Sequence, residues 1–129
     1  MEIDIYFDGQ LIYASLKLTY KGNCKVVDKL VVDTGAAKSF ISVDAVEEIN
    51  VTFEDGDYIT TVYGIGGPDN SFQKIIDVIE FGSKKFENYL IDFGAFHGEY
   101  DINGLIGLDI LRDAGISINL KSMKIIQVE

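Results

Sequence analysis

Short runs rich in Val, Ile, Tyr and Phe fill most of the chain, many alternating in polarity and each cut off by a glycine-containing turn. That spacing constrains the fold more than any other feature. The runs are too short for amphipathic helices and fit half-buried strands, whose side chains point alternately to core and solvent. Ile3, Ile5 and Phe7 alternate ahead of Asp8-Gly9, a tight hairpin turn. A second strand passes through Ile12, Ala14, Leu16 and Leu18 to a turn at Lys21-Gly22-Asn23, and a third runs from Lys25 to Asp33.

Further along, Ser42 caps a short helix through Val43 to Ile49, with Asp44 favourable in its first turn. Tyr58 to Tyr63 and Phe72 to Phe81 form a long hairpin whose flexible tip is the glycine-rich run Gly64 to Asn70. Gly82-Ser83-Lys84 turns the chain into a strand from Phe86 to Phe93, followed by a loop from Gly94 to Tyr100. Asn103 to Gly107 reads as a short buried strand, Leu108 to Ala114 as one or two helical turns stopped by Gly115. Ile116 to Leu120 and Met123 to Val128 close the chain as two strands. With 129 residues and 47% hydrophobic content there is material for one core, so a single domain over residues 1–129 is expected. Many short strands and two short helices predict a mostly β, barrel-like fold.

Leu30 to Ser42, LVVDTGAAKSFIS, places an acid at the end of an apolar strand and follows it with Thr-Gly-Ala. A buried carboxylate is costly unless paired or hydrogen-bonded, so this placement points to chemistry. Asp-Thr-Gly alone arises by chance in roughly one chain in fifty of this size at average composition. Here it is joined, in order, by Gly64-Ile65-Gly66-Gly67 at a hairpin tip and by Leu105-Ile106-Gly107 ahead of a short helix. In these three elements, from about Ile12 to Val128, the chain resembles the single-domain, retropepsin-like aspartic proteases.

The resemblance implies a closed-barrel-like retropepsin fold with a flap hairpin, and an aspartic endopeptidase acting on peptide or protein substrates. Asp33 would be the catalytic acid. Metal-free peptide hydrolysis needs one group to take a proton from water and another to give one to the carbonyl oxygen. Two carboxylates held close do both, because they cannot both ionise easily and keep one proton between them. Asp8-Gly9 and Asp55-Gly56 lack the Thr and the apolar approach and read as turns, so the second acid is expected from another copy, in a two-fold homodimer. The resemblance gives Thr34 a hydroxyl that bonds across to the partner loop, lets backbone approach at Gly35 and keeps the floor shallow at Ala36. Gly64, Ile65, Gly66 and Gly67 would form the flap over bound peptide, with Tyr63 and Ile65 lining the groove. Retroviral members carry an Arg after the glycine of the third element, Gly107 here, and an Asp two places beyond the glycine of the first, Gly35 here. Leu108 and Ala37 stand there instead, so both charges are absent together. The last strand either interleaves with the partner's ends, as in retroviral members, or pairs in its own subunit.

Other chemistry is weaker in this sequence. His97, Glu99 and Asp101 share a loop, but one His without Cys partners is a thin basis for a metal site, and no metal or cofactor is expected. Gly64-Ile65-Gly66 opens no helix and so is not a dinucleotide fingerprint. A net charge of −10 disfavours nucleic acid and anionic membrane surfaces as partners. No apolar run is long enough to cross a bilayer. Acids in MEIDIYFDGQ and the lone Cys24 lead to a cytoplasmic expectation. The rival reading is a catalytically idle dimeric module of the same fold that binds peptide or acts as a scaffold, since fold does not settle function.

Overall fold

A computed structural model describes residues 1–64, 67–96 and 101–128, with backbone alone over 61–64 and 67–70. Strands β1 (Glu2–Ile3), β2 (Tyr6–Phe7), β3 (Ile12–Tyr20), β4 (Asn23–Val32) and β5 (Phe40–Ser42) come first. Helix α1 (Val43–Val46) runs into a tighter turn at Glu47–Ile49, and β6 (Ile59–Gly64), β7 (Gly67–Phe81) and β8 (Lys84–Gly94) follow. The chain ends with β9 (Gly104–Ile106), α2 (Leu108–Asp113), β10 (Ile116–Asn119) and β11 (Lys124–Gln127).

Alternation explains the barrel. In β3 Ala14, Leu16, Leu18 and Tyr20 are buried while Ser15 and Lys17 face water. Between the pairs Ala14–Leu30 and Leu16–Val27 the facing strand β4 carries one extra residue, a bulge at Asp28-Lys29 with Lys29 at φ +53°, which bends β4 and sharpens the local twist. The second half of β3 pairs on its other edge with β7, Lys17 opposite Glu80 and Thr19 opposite Val78. That pairing closes the ring β3-β4-β9-β5-β8-β7 into a six-stranded barrel, the expected mostly β, closed-barrel architecture. Every strand of the ring sends a side chain inward: Leu16, Leu30, Ile41, Ile76, Ile91 and Ile106 are essentially inaccessible to water. Burying each contributes about 1.5–3 kcal/mol. Val46, Ile49, Ile110 and Leu111 pack onto the same core.

Two local expectations hold closely. Asp8 accepts from the amides of Gln10 and Leu11, both at 2.8 Å, and Gly9 takes φ +93° in the turn between β2 and β3. Ser42 accepts from the Asp44 amide at 3.3 Å and caps α1. Two others change. The run from Ile3 to Phe7 is not one strand, because β1 joins β11 while β2 joins β3, and Asp4-Ile5 carries the chain between the two sheets. The glycine-rich run after Tyr63 is not all loop, for β6 and β7 stay paired as far as Gly64 opposite Gly67.

Strands β1 and β11, from opposite ends of the described residues, pair with one another within the chain. β11 lies between β1 and β10, with Ile3 opposite Ile125 and Ile118 opposite Ile125 on its other side. The Gln127 amide donates to the Met1 carbonyl at 2.7 Å. Gln127 locks this sheet to the barrel: its buried Nε2 donates to the carbonyls of Phe81 and Ala114, both at 3.1 Å. Its Oε1 accepts from the Ser83 amide at 2.8 Å. Replacing it with an apolar side chain of similar size strands two carbonyls and an amide away from water. Gln127→Leu is therefore expected to lower stability by about 3 kcal/mol, read as a reduced urea midpoint at unchanged slope.

Candidate active site

The acid-bearing loop is built around one inserted strand. β4 ends at Val32, and β9 lies parallel beside it, with Val31 opposite Leu105 and Val32 opposite Ile106. The Asp33 amide continues that ladder by donating to the Ile106 carbonyl at 2.9 Å. The chain does not return beside β4. It returns as β5 on the far side of β9, antiparallel to it, with Ile41 opposite Gly104. Residues 33–39 therefore cross over the end of β9. The Leu108 amide donates to the Ala36 carbonyl at 2.8 Å and the Ala36 amide to the Asp33 carbonyl at 3.2 Å. Glycine is required at both ends of β9. At Gly104, with φ +144°, a Cβ would lie 2.0 Å from the Phe40 carbonyl oxygen. At Gly107 it would lie 2.8 Å from the Ala36 carbonyl oxygen and 2.7 Å from the Lys38 carbonyl carbon.

Strand periodicity sets which way Asp33 faces. Leu30 and Val32 belong to the barrel core, whereas Val31 points the other way, and Asp33 shares its side at the i+2 position. Val31, Ile102 and Leu105 form a second, smaller apolar cluster, with Leu11, Tyr13, Ala36 and Phe96 packed against it. The arrangement is a half-buried carboxylate beside an apolar floor. Asp33 Oδ1 accepts from the Gly35 amide at 2.9 Å. Thr34 and Gly35 are exposed and Ala36 is half-buried.

Sequence reasoning missed the brace behind the loop. Ser39 is wholly buried, and its Oγ accepts from the Gly107 amide at 2.9 Å while donating to Asp109 Oδ1 at 2.7 Å. Its own amide also faces the Asp109 carboxylate, at 3.0 and 3.1 Å. This polar tie lies next to Ala37 and Leu108, the places where the retroviral Asp and Arg are absent. Leu108 is left 46% exposed. The available signal was Asp109 itself, an acid in the first turn of a helix where free amides gather.

The long hairpin stands over a charged anchor. Lys74 in β7 is buried and meets Glu54 at 2.6 Å and Asp57 at 2.8 Å. The Glu54 amide donates to Asp57 Oδ2 at 2.8 Å, the Gln73 amide donates to the Tyr58 carbonyl at 3.0 Å, and Phe53 packs edge-on against Phe72. Of the flap residues, Gly64 and Gly67 are the last paired positions, and Ile65 and Gly66 lie outside the described residues. The Tyr63 side chain lies outside them too, as do His97 and Glu99. Asp101 is engaged with Lys29 Nζ at 2.8 Å. Among the described residues no three His, Cys, Asp or Glu side chains are grouped to hold a metal ion.

Comparison with known proteins agrees with this geometry. A family model described as aspartyl protease matches residues 16–110, a span that includes the Asp33 loop, the hairpin and all of β9. No curated protein matches the chain.

The Lys74 anchor has a definite pH response. Its hydrogen bond from Lys74 holds the Glu54 carboxyl below the usual range. Desolvation pushes Asp57 up, but Lys74 and the Glu54 amide outweigh it and leave Asp57 lowered as well. Burial works against the Lys74 charge, yet its bonds to Asp57 and Glu54 raise it. Lowered carboxyls stabilise above their unfolded values, and that contribution disappears as pH falls through their folded ones. The difference in melting temperature between wild type and Lys74→Met should be constant near neutrality and shrink below about pH 4. Melts across pH 3 to 7 check this.

Proposed function

We propose that this chain, which belongs to the aspartyl protease family, is an endopeptidase in which water is activated between the Asp33 carboxylates of a homodimer. The observation that carries the reading is Asp33 itself, presented at the end of a buried strand, beside an apolar floor, with a backbone amide on one oxygen. A lone carboxylate cannot serve as acid and base at once, and the other Asp-Gly pairs are turns. Asp8 is engaged with two backbone amides, and Gly56 sits in a turn at φ +97°. A second copy supplies the missing acid.

In the dimer one carboxylate is ionised and takes a proton from the water, while its protonated neighbour hydrogen-bonds the substrate carbonyl. The water attacks directly and no acyl-enzyme forms. Thr34 and Gly35, exposed at the head of the loop, meet their counterparts, and the exposed Leu108 beside them adds apolar area. The peptide lies extended between hairpin and loop, its backbone bonding as an added strand and its apolar side chains resting on Leu11, Tyr13 and Ala36, the partly buried residues packed over Val31, Ile102 and Leu105. A cytoplasmic setting suits the exposed free Cys24.

Asp33→Asn should reduce peptide cleavage by about a thousandfold or more without lowering the melting temperature. Activity per chain should fall on dilution, and turnover should be highest at mildly acidic pH, both read with a fluorogenic peptide library. Cleavage that survives in the variant would place the chemistry elsewhere, and none in either protein would favour the idle peptide-binding module.

A further inference from the structure

We infer that a groove between the N-terminal hairpin and β4 takes a basic side chain of the substrate, selecting peptides with Arg or Lys about four residues from the cut bond; this rests on the peptidase reading above. The groove encloses about 710 Å³. One wall is aromatic, where Tyr6 and Tyr13 stack with ring centres 6.0 Å apart, and Tyr6 remains 66% exposed.

Two features tie the groove to peptide. First, it continues the apolar floor: Tyr13 packs on the Val31 cluster and pairs with Val31, which precedes Asp33 by two residues. Lys29, which lines the groove at the β4 bulge, precedes Asp33 by four residues, a path of at most about 13 Å since Lys29 itself, at φ +53°, is not extended. An extended peptide covers that distance in about four residues.

Second, the charge selects a cation. Asp4, Asp8, Asp28 and Asp101 line the groove against the single ammonium of Lys29. Lys29 bonds Asp101 Oδ2 at 2.8 Å, and Asp28 Oδ1 accepts from Asn103 at 3.2 Å. Asp101 Oδ1 and Asp28 Oδ2 have no donor among the described residues. A bare metal ion is a poor match where no three acids converge among those residues. A guanidinium or ammonium on an aliphatic stem fits better, its stem along the tyrosine faces and its head at the free carboxylate oxygens.

The test uses peptides with a central apolar pair and, three to five residues to either side, Arg or its neutral near-isostere citrulline. Binding is read by fluorescence anisotropy on the Asp33→Asn chain, so that it is measurable whether or not the wild type cleaves. For the best-placed position the Arg peptide should bind about tenfold more tightly, and less so at high salt. Asp101→Asn, which leaves Lys29 unpaired in the groove, should bring the ratio to one or below. Lys29→Gln, which removes the competing cation, should widen it. A merely structural role for the Lys29–Asp101 pair would move both variants the same way, and that outcome overturns the inference. So does equal binding of the Arg and citrulline peptides, or no binding of either. Preference in binding without any cleavage by the wild type would retain the groove and refute the peptidase reading.

Discussion

The insertion of β9 between β4 and β5 is the constraint on which the rest depends. β9 has three residues, too few to hold a position by its own ladder. It is held because Gly104 lets the Phe40 backbone approach and Gly107 lets residues 36–38 lie over the strand end. Ser39 then ties that loop back to the Gly107 amide and to α2. Once β9 is in place, the chain leaving β4 must cross it to reach β5. Asp33, whose amide is the last rung of the β4–β9 ladder, is thereby left at the strand end on the face of Val31, at the start of the crossing loop.

Polar groups do the fixing at each place where backbone elements meet outside the regular ladders. Ser39 and Asp109 hold the acid-bearing loop, Lys74 with Glu54 and Asp57 holds the base of the long hairpin, and Gln127 holds the terminal sheet. Ser39, Lys74 and Gln127 are buried and hydrogen-bonded or ion-paired, which is the condition under which buried polarity specifies a structure and does not merely cost energy. The apolar core, by contrast, draws on all six strands of the ring and would tolerate many hydrophobic substitutions of similar total volume.

Local pattern made the strands legible, because alternation at Ala14, Leu16, Leu18 and Tyr20 is a property of neighbours in sequence. So were the turn at Asp8-Gly9 and the Ser42 cap. The three motifs in order made the position of the candidate site legible, too. What stayed hidden was set by distance along the chain. Nothing near Phe7 indicates that β1 leaves for the far terminus, and nothing near Ser39 indicates an acid seventy residues away. The glycine-rich run at Gly64 to Asn70 misled for the opposite reason: glycine permits a loop but does not prevent a ladder when the facing strand supplies partners.

Completion of the terminal sheet within one subunit changes what the proposed pairing of two copies can rest on. Interleaved ends would bring many backbone hydrogen bonds to a dimer. With β11 already flanked by β1 and β10, those groups are spent inside the chain. The proposed partner is then met at the loop face around Thr34, Gly35 and Leu108, a smaller area, and each copy brings a net charge of −10. Like charge at that level opposes association and is relieved by salt or by protonation. Acidification would thus favour both the pairing and the shared proton of the dyad, while loosening the Lys74 anchor under the hairpin. The usable range lies between these opposed demands: acidic enough to bring two carboxylates together, not so acidic that Glu54 and Asp57 release Lys74.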